Sequence, residues 1–206
     1  MPTPDSTHHA SLIECQAEIL SHQQHEGGQH ILRLHAPEIA ARATAGSFVH
    51  LRCAPHLPLR RPLSIMLSNP KQGWIELLYK VVGRGTRALS EQQVGSQLPL
   101  LGPIGNGFTL NEAGRRPLLL GGGVGMPPML FLASELRRLK HYKPVLFLGS
   151  ELPFPFTPKP SEFLLDGLPD GAIAPLPLLD NWGIPARLAS RRDMRGVMMA
   201  GLPIWL

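Results

Sequence analysis

"LLLGGGVGMPPML", residues 118–130, is an apolar run that breaks into four glycines and restarts on two prolines. The three leucines read as a strand covered on both faces, because a parallel sheet lies between two layers and loses the polar half of its alternation. Glycines at 121, 122, 123 and 125 permit positive φ and remove Cβ atoms, so backbone N–H groups can approach an anion. Pro127 and Pro128 suit a first helical turn, where a missing N–H is harmless. The helix that follows would add free N–H groups and the positive end of its dipole. The spacing is not G-x-G-x-x-G, since Met126 or Pro128 stands where the third glycine belongs, and no Gly-Lys-Ser/Thr makes it a Walker loop. Alone, the stretch fits an anion-binding turn or a ligand-free strand-to-helix turn.

Downstream, "MPPMLFLASELRRLKHY" (126–142) has helical spacing, with Leu130, Ala133, Leu136 and Leu139 on one face. "PVLFLGS" (144–150) is a second buried strand, which completes one parallel βαβ unit. From about 151 the signal degrades. "ELPFPFTPKP" is too rich in proline for regular structure, "SEFLLDGL" (161–168) is a helix candidate, and "APLPLLDNWGIPARLAS" (174–190) is ambiguous. The rest, "RRDMRGVMMAGLPIWL", carries no clear period.

Upstream the chain alternates at period two. Strands are expected at 11–22, 30–36, 46–54, 62–69 and 73–82, with "NPKQG" as a hairpin turn between the last two. "GTRALSEQQ" (85–93) is a short helix, and "GSQLPLLGPIGNGF" (95–108) is a strand ending in a Gly/Pro loop. Many short strands at this spacing describe a small antiparallel barrel or sandwich. The expected fold class is therefore a two-domain β plus α/β chain: a β-barrel over 10–111, then a parallel α/β domain over 112–206 that looks incomplete.

Composition narrows the classes. Of the 206 residues 43% are hydrophobic and 17% charged, which is globular rather than disordered. No apolar stretch approaches the ~20 residues a bilayer requires, and the polar start "MPTPDSTHHA" lacks a signal-peptide pattern, so the expectation is a cytoplasmic protein without a membrane partner. The net charge of +5 is spread over separate pairs such as Arg60-Arg61 and Arg115-Arg116, with no aromatic interleaving, so attraction for anionic cofactors explains it better than nucleic acid. Cys15 and Cys53 cannot alone form a four-cysteine zinc or iron–sulfur site, and the nine histidines show no ligand pair backed by an acid; no metal is expected.

Two further stretches carry chemistry. In "RRPLSI" (60–65) an arginine beside a rigid proline, followed by a hydroxyl, can present a guanidinium to phosphate and a hydroxyl to a ring nitrogen. In "LYKVVGRGTRALS" (78–90), Gly83 and Gly85 open the backbone and Thr86 is placed at the N-cap of the short helix. Each has a bland reading as surface charge, strand residue or simple cap.

In this order, with "GPIGNGF" and the glycine loop, the set resembles the ferredoxin–NADP reductase superfamily, and within it most resembles the electron-transfer subunits of dihydroorotate dehydrogenases. The resemblance covers roughly residues 10–150. It implies that Arg61, Pro62, Leu63 and Ser64 contact FAD, with Ser64 as the catalytic contact near flavin N5, where hydride arrives. It implies further FAD contacts at Leu78, Tyr79 and Lys80, and Gly85 and Thr86 at the pyrophosphate. Gly121, Gly122, Gly123 and Gly125 would cradle NAD(P)H, the electron donor. Such subunits end with a Cys-Gly-Pro turn and four cysteines for a [2Fe–2S] cluster, whereas no cysteine follows Cys53 here, so no cluster is expected on this chain.

The expected function is FAD-dependent electron transfer from NAD(P)H to a partner, which the resemblance implies is a catalytic dihydroorotate dehydrogenase subunit in pyrimidine biosynthesis. One alternative is a stand-alone NAD(P)H:flavin or quinone reductase, which the missing cysteines favour. The other is a non-catalytic binding module with a decayed nucleotide domain. Glu151, just past the second strand, is a candidate ribose-hydroxyl acceptor that would favour NAD over NADP.

Overall fold

In a computed structural model the chain is described over residues 12–110, 114–157, 159–168, 171–191 and 196–199. The first lobe is a closed six-stranded antiparallel barrel, with neighbours in the order β1-β2-β5-β4-β3-β6. Its strands are β1 (Ile13–His25), β2 (Gln29–His35), β3 (Phe48–Arg52), β4 (Arg60–Asn69), β5 (Trp74–Lys80) and β6 (Gln97–Ile104). Period-two alternation sends Val49, Leu51, Leu32, Leu34, Ile75 and Leu77 into a solvent-free interior, and closure leaves no unpaired strand edge. The 69–73 turn is a hairpin as expected: Gly73 N–H donates to Asn69 O at 2.8 Å.

Two helices decorate the barrel. The six-residue α1 (Pro37–Arg42) is absent from the sequence reading, because one and a half turns are too short to display a 3.6-residue period. It buries only Ile39 and Ala40. The second, α2 (Arg84–Ser90), lies where the sequence puts it, but its N-cap is Gly83 and Thr86 occupies the third helical position. The Thr86 hydroxyl turns back on its own helix start, accepting from Val82 N–H (3.0 Å) and Gly83 N–H (3.3 Å) and donating to Gly83 O (3.2 Å). That is one half of a capping box, the third-position side chain reaching back to the N-cap N–H, since Gly83 has no side chain to return the bond.

The second lobe is a four-stranded parallel sheet in the order β10-β9-β8-β7. It comprises β7 (Leu118–Gly122), α3 (Met126–Arg138), β8 (Val145–Ser150), α4 (Pro177–Asn181), β9 (Ala186–Ser190) and β10 (Met198–Met199). Leu130, Ala133 and Leu136 are buried on α3, but the helix stops at Arg138 and leaves Leu139 41% exposed. The same helix packs against β7 and against β4 of the barrel, so it joins the lobes. The expected boundary at 111/112 lies outside the described residues, between β6 and β7. Among the described residues no helix is long and apolar enough to cross a membrane.

Three expectations change. The leucine run of β7 is covered on one side only: Leu119 is buried, whereas Leu118 and Leu120 are each 58% exposed, since α3 lies on one face and no described helix lies on the other. Residues 161–168 form turns instead of a helix, because Arg187 and Ile173 claim their backbone. Arg187, itself buried, donates to Phe163 O (2.6 Å), Ala172 O (2.8 Å) and Ala186 O (2.7 Å), and Ser161 N–H donates to Ile173 O (2.9 Å). The stretch past 151 is also less irregular than its prolines suggest: "ARLAS" is a third parallel strand.

Candidate functional site: a cleft between the lobes

The carboxyl ends of β7, β8 and β9 face the barrel across a cleft of about 670 Å³. That is the position where open α/β sheets bind ligands, and the volume suits a large organic ligand. The floor is the glycine loop. A Cβ on Gly121 would meet Gly125 O and Met129 Cγ at 3.1 Å, so glycine here lets the strand press on α3. Gly123 has φ +51° and, like Gly125, open space where a Cβ would point, so its backbone is accessible from the cleft. Pro127 and Pro128 sit in the first turn of α3, whose start is therefore pre-formed.

The roof belongs to the barrel. Leu78, Tyr79 and Lys80 of β5 line it with Gln29. Gln29 Nε2 donates to Pro153 O at 2.6 Å and ties the β1–β2 turn to the segment after β8. Gly27 in that turn, at φ +72°, has Leu152 side-chain atoms 3.1–3.3 Å from where a Cβ would sit. On the opposite side Glu135 of α3 accepts from Ala45 N–H at 3.0 Å. Burial pushes the Glu135 carboxyl up, against the lowering effects of that N–H and of Arg138.

Tyr79 is buried, with its hydroxyl committed to the barrel. It lies 2.8 Å from His22 Nε2, while His22 Nδ1 is 2.9 Å from Gln92 O. The Gln92 carbonyl can only accept, so a neutral His22 carries its hydrogen at Nδ1 and accepts a hydrogen bond from the Tyr79 hydroxyl at Nε2. Burial pushes the Tyr79 hydroxyl above its ordinary value. Tyr79 stacks on His30 with ring centroids 5.1 Å apart. The His30 imidazole is pushed down by burial, with His22 and His25 adding to the effect.

The remaining candidates lie beside the cleft. Arg61 is on β4, paired with Leu51, and its Nε lies 2.6 Å from the position a Gly85 Cβ would occupy. The guanidinium rests on the start of α2 only because residue 85 lacks a side chain. It is half-buried and makes no hydrogen bond or ion pair with any described residue. Ser64, half-buried, pairs with Phe48 on the same strand, with Pro62 exposed and Leu63 half-buried between. Thus Leu78, Tyr79, Lys80, Gly121, Gly122 and Gly123 converge on the cleft, Arg61 meets Gly85, and Pro62, Leu63, Ser64, Thr86 and Gly125 are not on the cleft lining.

Sequence reasoning missed Gln29, Ser150, Ser190 and Arg191, which also line the cleft. Gln29 acts through a contact 124 residues away and left no local signal. Cys15 and Cys53 are both free, with burial raising both thiols. Among the described residues no group of three or more His, Cys, Asp or Glu is arranged to hold a metal ion.

No family model matches the chain. The electron-transfer subunit of dihydroorotate dehydrogenase B (NAD(+)) from Desulforamulus reducens is 46% identical over 108 residues, 51% of this chain and 41% of that protein. The corresponding subunit of Bacillus caldolyticus is 44% identical over 108 residues and 42% of its length. The matches thus span about two fifths of these relatives. Among solved structures, a ferredoxin reductase of carbazole 1,9a-dioxygenase superposes with a TM-score of 0.69 at 24% identity, over 91% of this chain and 54% of that one. The flavohem-like FAD/NAD-binding domain of nitric oxide dioxygenase from Vibrio cholerae gives 0.67 at 16% identity, over 92% and 80%. The chain has the two-domain fold of the ferredoxin–NADP reductase-like flavoprotein reductases, and its sequence is similar to the electron-transfer subunits of NAD(+)-dependent dihydroorotate dehydrogenase B.

Proposed function

We propose that this chain is a flavin-dependent oxidoreductase module that takes hydride from a nicotinamide dinucleotide and passes electrons to a partner. The observation that carries the reading is the Arg61 guanidinium, unpaired among the described residues and seated on Gly85 at a helix start. An arginine that is half-buried without a hydrogen-bonding partner suits an external anion, and its planar fork matches phosphate. FAD fits that cradle through its pyrophosphate, with Gly85 giving close backbone approach and Thr86 holding the turn in shape.

Bound FAD supplies acceptance of a two-electron hydride and release of single electrons, so the protein needs no strong acid or base. The chain's own residues bind and orient. Pro62, Leu63 and Ser64 would hold the flavin from β4, and Leu78, Tyr79 and Lys80 would border it from β5. The backbone of Gly121, Gly122, Gly123 and Gly125 would receive the dinucleotide phosphates. The likeness to subunits named for NAD(+) supports NAD(H) over NADP(H) as the dinucleotide, and the same names support a catalytic dihydroorotate dehydrogenase subunit as the partner in electron exchange; with NAD(+) as oxidant the electrons would run from that subunit through the flavin to the dinucleotide.

A second reading is that the chain passes electrons to a soluble flavin or quinone in place of a partner subunit. One experiment tests both. The purified full chain is titrated with FAD and then mixed with NADH anaerobically. A flavin spectrum bleached by NADH is the expected result, and protein that takes up no FAD overturns the reading. Turnover onto a soluble acceptor without a partner selects the second form.

A further inference from the structure

We propose that the outer face of β7 and β8 docks an amphipathic helix of another protein, apolar stripe on the strands and carboxylates on Arg116 and Lys143. This surface is additional to the cleft chemistry and does not depend on it. Leu118 and Leu120 of β7 pair in register with Val145 and Phe147 of β8, and strand alternation puts all four on the face away from α3. Both leucines are exposed, and Val145 and Phe147 are half-buried. Below β7 the ladder continues, with Val145 N–H donating to Pro117 O at 3.0 Å and Lys143 N–H to Arg115 O at 2.8 Å. One more step of the register sets Arg116 beside Lys143, on the side of Leu118 and Val145.

The face thus carries a cationic rung followed by two apolar rungs. Both cations are exposed, and neither side chain has an ion pair or hydrogen bond among the described residues. The upper rung, Leu120 and Phe147, also lines the cleft, so the strip runs up to its rim. Over β9 the same face is roofed, because the buried Arg187 donates to Phe163 O and Ala172 O. Beyond β7 the sheet has no further strand among the described residues. Two strands about 4.8 Å apart, with their side chains, make a strip about 10 Å wide, the diameter of one α-helix. An exposed apolar strip with a charged rim is the pattern of a docking surface, and α/β sheets bury such faces under helices.

Charge selects the partner. Residues 114–143 carry six Arg or Lys against one carboxylate, Glu135, so the whole formal charge of +5 sits in this segment. That carboxylate is engaged by Ala45 N–H on the barrel side. A second copy of the chain would bring the same cations. Its one described helix longer than seven residues, α3, already buries Leu130, Ala133 and Leu136. The occupant is therefore a different protein, with an apolar stripe along a helix and Asp or Glu over Arg116 and Lys143.

The test uses the full chain and fluorescence anisotropy with two labelled helical peptides of about 14 residues, or four turns. Both carry leucines along one stripe, and their other positions are rich in glutamate in one peptide and lysine in the other. The glutamate peptide is expected to bind about tenfold tighter or more, with the gap narrowing as salt rises. Arg116→Glu/Lys143→Glu is expected to reverse that order, a result that misfolding cannot produce. Leu118→Glu, at an exposed position outside the cleft lining, is expected to weaken the glutamate peptide about tenfold with an unchanged melting temperature. Equal affinities, no binding of either peptide, an order that survives the charge reversal, or full binding to Leu118→Glu would each overturn the proposal. Wild-type protein that floats with phosphatidylglycerol vesicles and releases the peptide to them overturns it in favour of a lipid surface. Flavin uptake enters none of these arms, so failure of the cleft reading and failure of this one are separate results.

Discussion

The barrel and the parallel sheet are built on opposite principles. Every barrel strand is hydrogen-bonded on both sides by a ring of antiparallel neighbours, and the loops between them are mostly short. In the parallel sheet, β8 and β9 are adjacent and in register, yet 35 residues separate Ser150 from Ala186. That excursion holds one five-residue helix and is fastened by the Arg187 guanidinium to the carbonyls of Phe163 and Ala172. Closure stabilises the first lobe through its ladder. In the second the excursion leans on one buried side chain reaching across the sequence, beside backbone bonds such as Ser161 N–H to Ile173 O and Leu188 N–H to Ala174 O.

The largest expected effect breaks that dependence. Arg187→Met removes the donors of three carbonyl bonds, two of them to the excursion, and unpaired buried polar groups cost about 1–3 kcal/mol each. A loss of about 3 kcal/mol or more is expected in the second lobe, seen by hydrogen exchange as early opening of residues 159–190 while β1–β6 stay protected. Uniform loss of protection in both lobes would show that they unfold as one unit.

Next is Arg61→Ala, which leaves both lobes folded and weakens FAD binding by ~1.5–3 kcal/mol, the range for hydrogen bonds to a charged group. Flavin titration reads this directly, and an unchanged affinity removes Arg61 from the site. Gly121→Ala follows. The added methyl meets Gly125 O and Met129 at 3.1 Å, so α3 must shift or strain, at about 1–3 kcal/mol in thermal melts. The barrel's own Gly95, with open space around its Cβ position but φ +87°, provides a contrast in which strain comes from the backbone alone.

The smallest effect concerns pH. Burial raises the Glu135 carboxyl from its ordinary 4.5, so folding favours its protonated form. The sign follows: this contribution is full below the ordinary value and is lost as pH rises through the raised one. Glu135→Gln is expected to flatten that slope, by less than about 1 kcal/mol or roughly 2–4 °C in melting temperature. Melting curves across the acid range check it, and an unchanged slope would mean that the charge is solvated.

The same contrast governs what could be read from sequence. Barrel strands announce themselves because alternation is local: Leu32 and Leu34, or Ile75 and Leu77, need only their neighbours to declare a face. The glycine loop was legible as a strand-to-helix turn for a similar reason, since four glycines between an apolar run and Pro127-Pro128 mark the passage locally. Thr86 was misplaced because a hydroxyl can cap a helix from the third position as well as the first. The third parallel strand, "ARLAS", was obscured by a buried arginine, whose cost is offset in large part by the carbonyls of Ala172 and Phe163, 15 and 24 residues away in sequence. Gln29 and Arg191 stayed silent because each gains its meaning from a residue the other lobe or the next strand brings to it.

The tip of the β1–β2 hairpin carries a consequence for the whole slot. Gly27 lets Leu152 come almost into van der Waals overlap with a backbone that has no side chain to resist it. Any bulkier residue at that tip would work as a wedge, prising the barrel from the strand ends and widening the gap above the glycine floor. The width available to a ligand is thus gauged by one missing methyl, far from every group that would touch the reacting atoms.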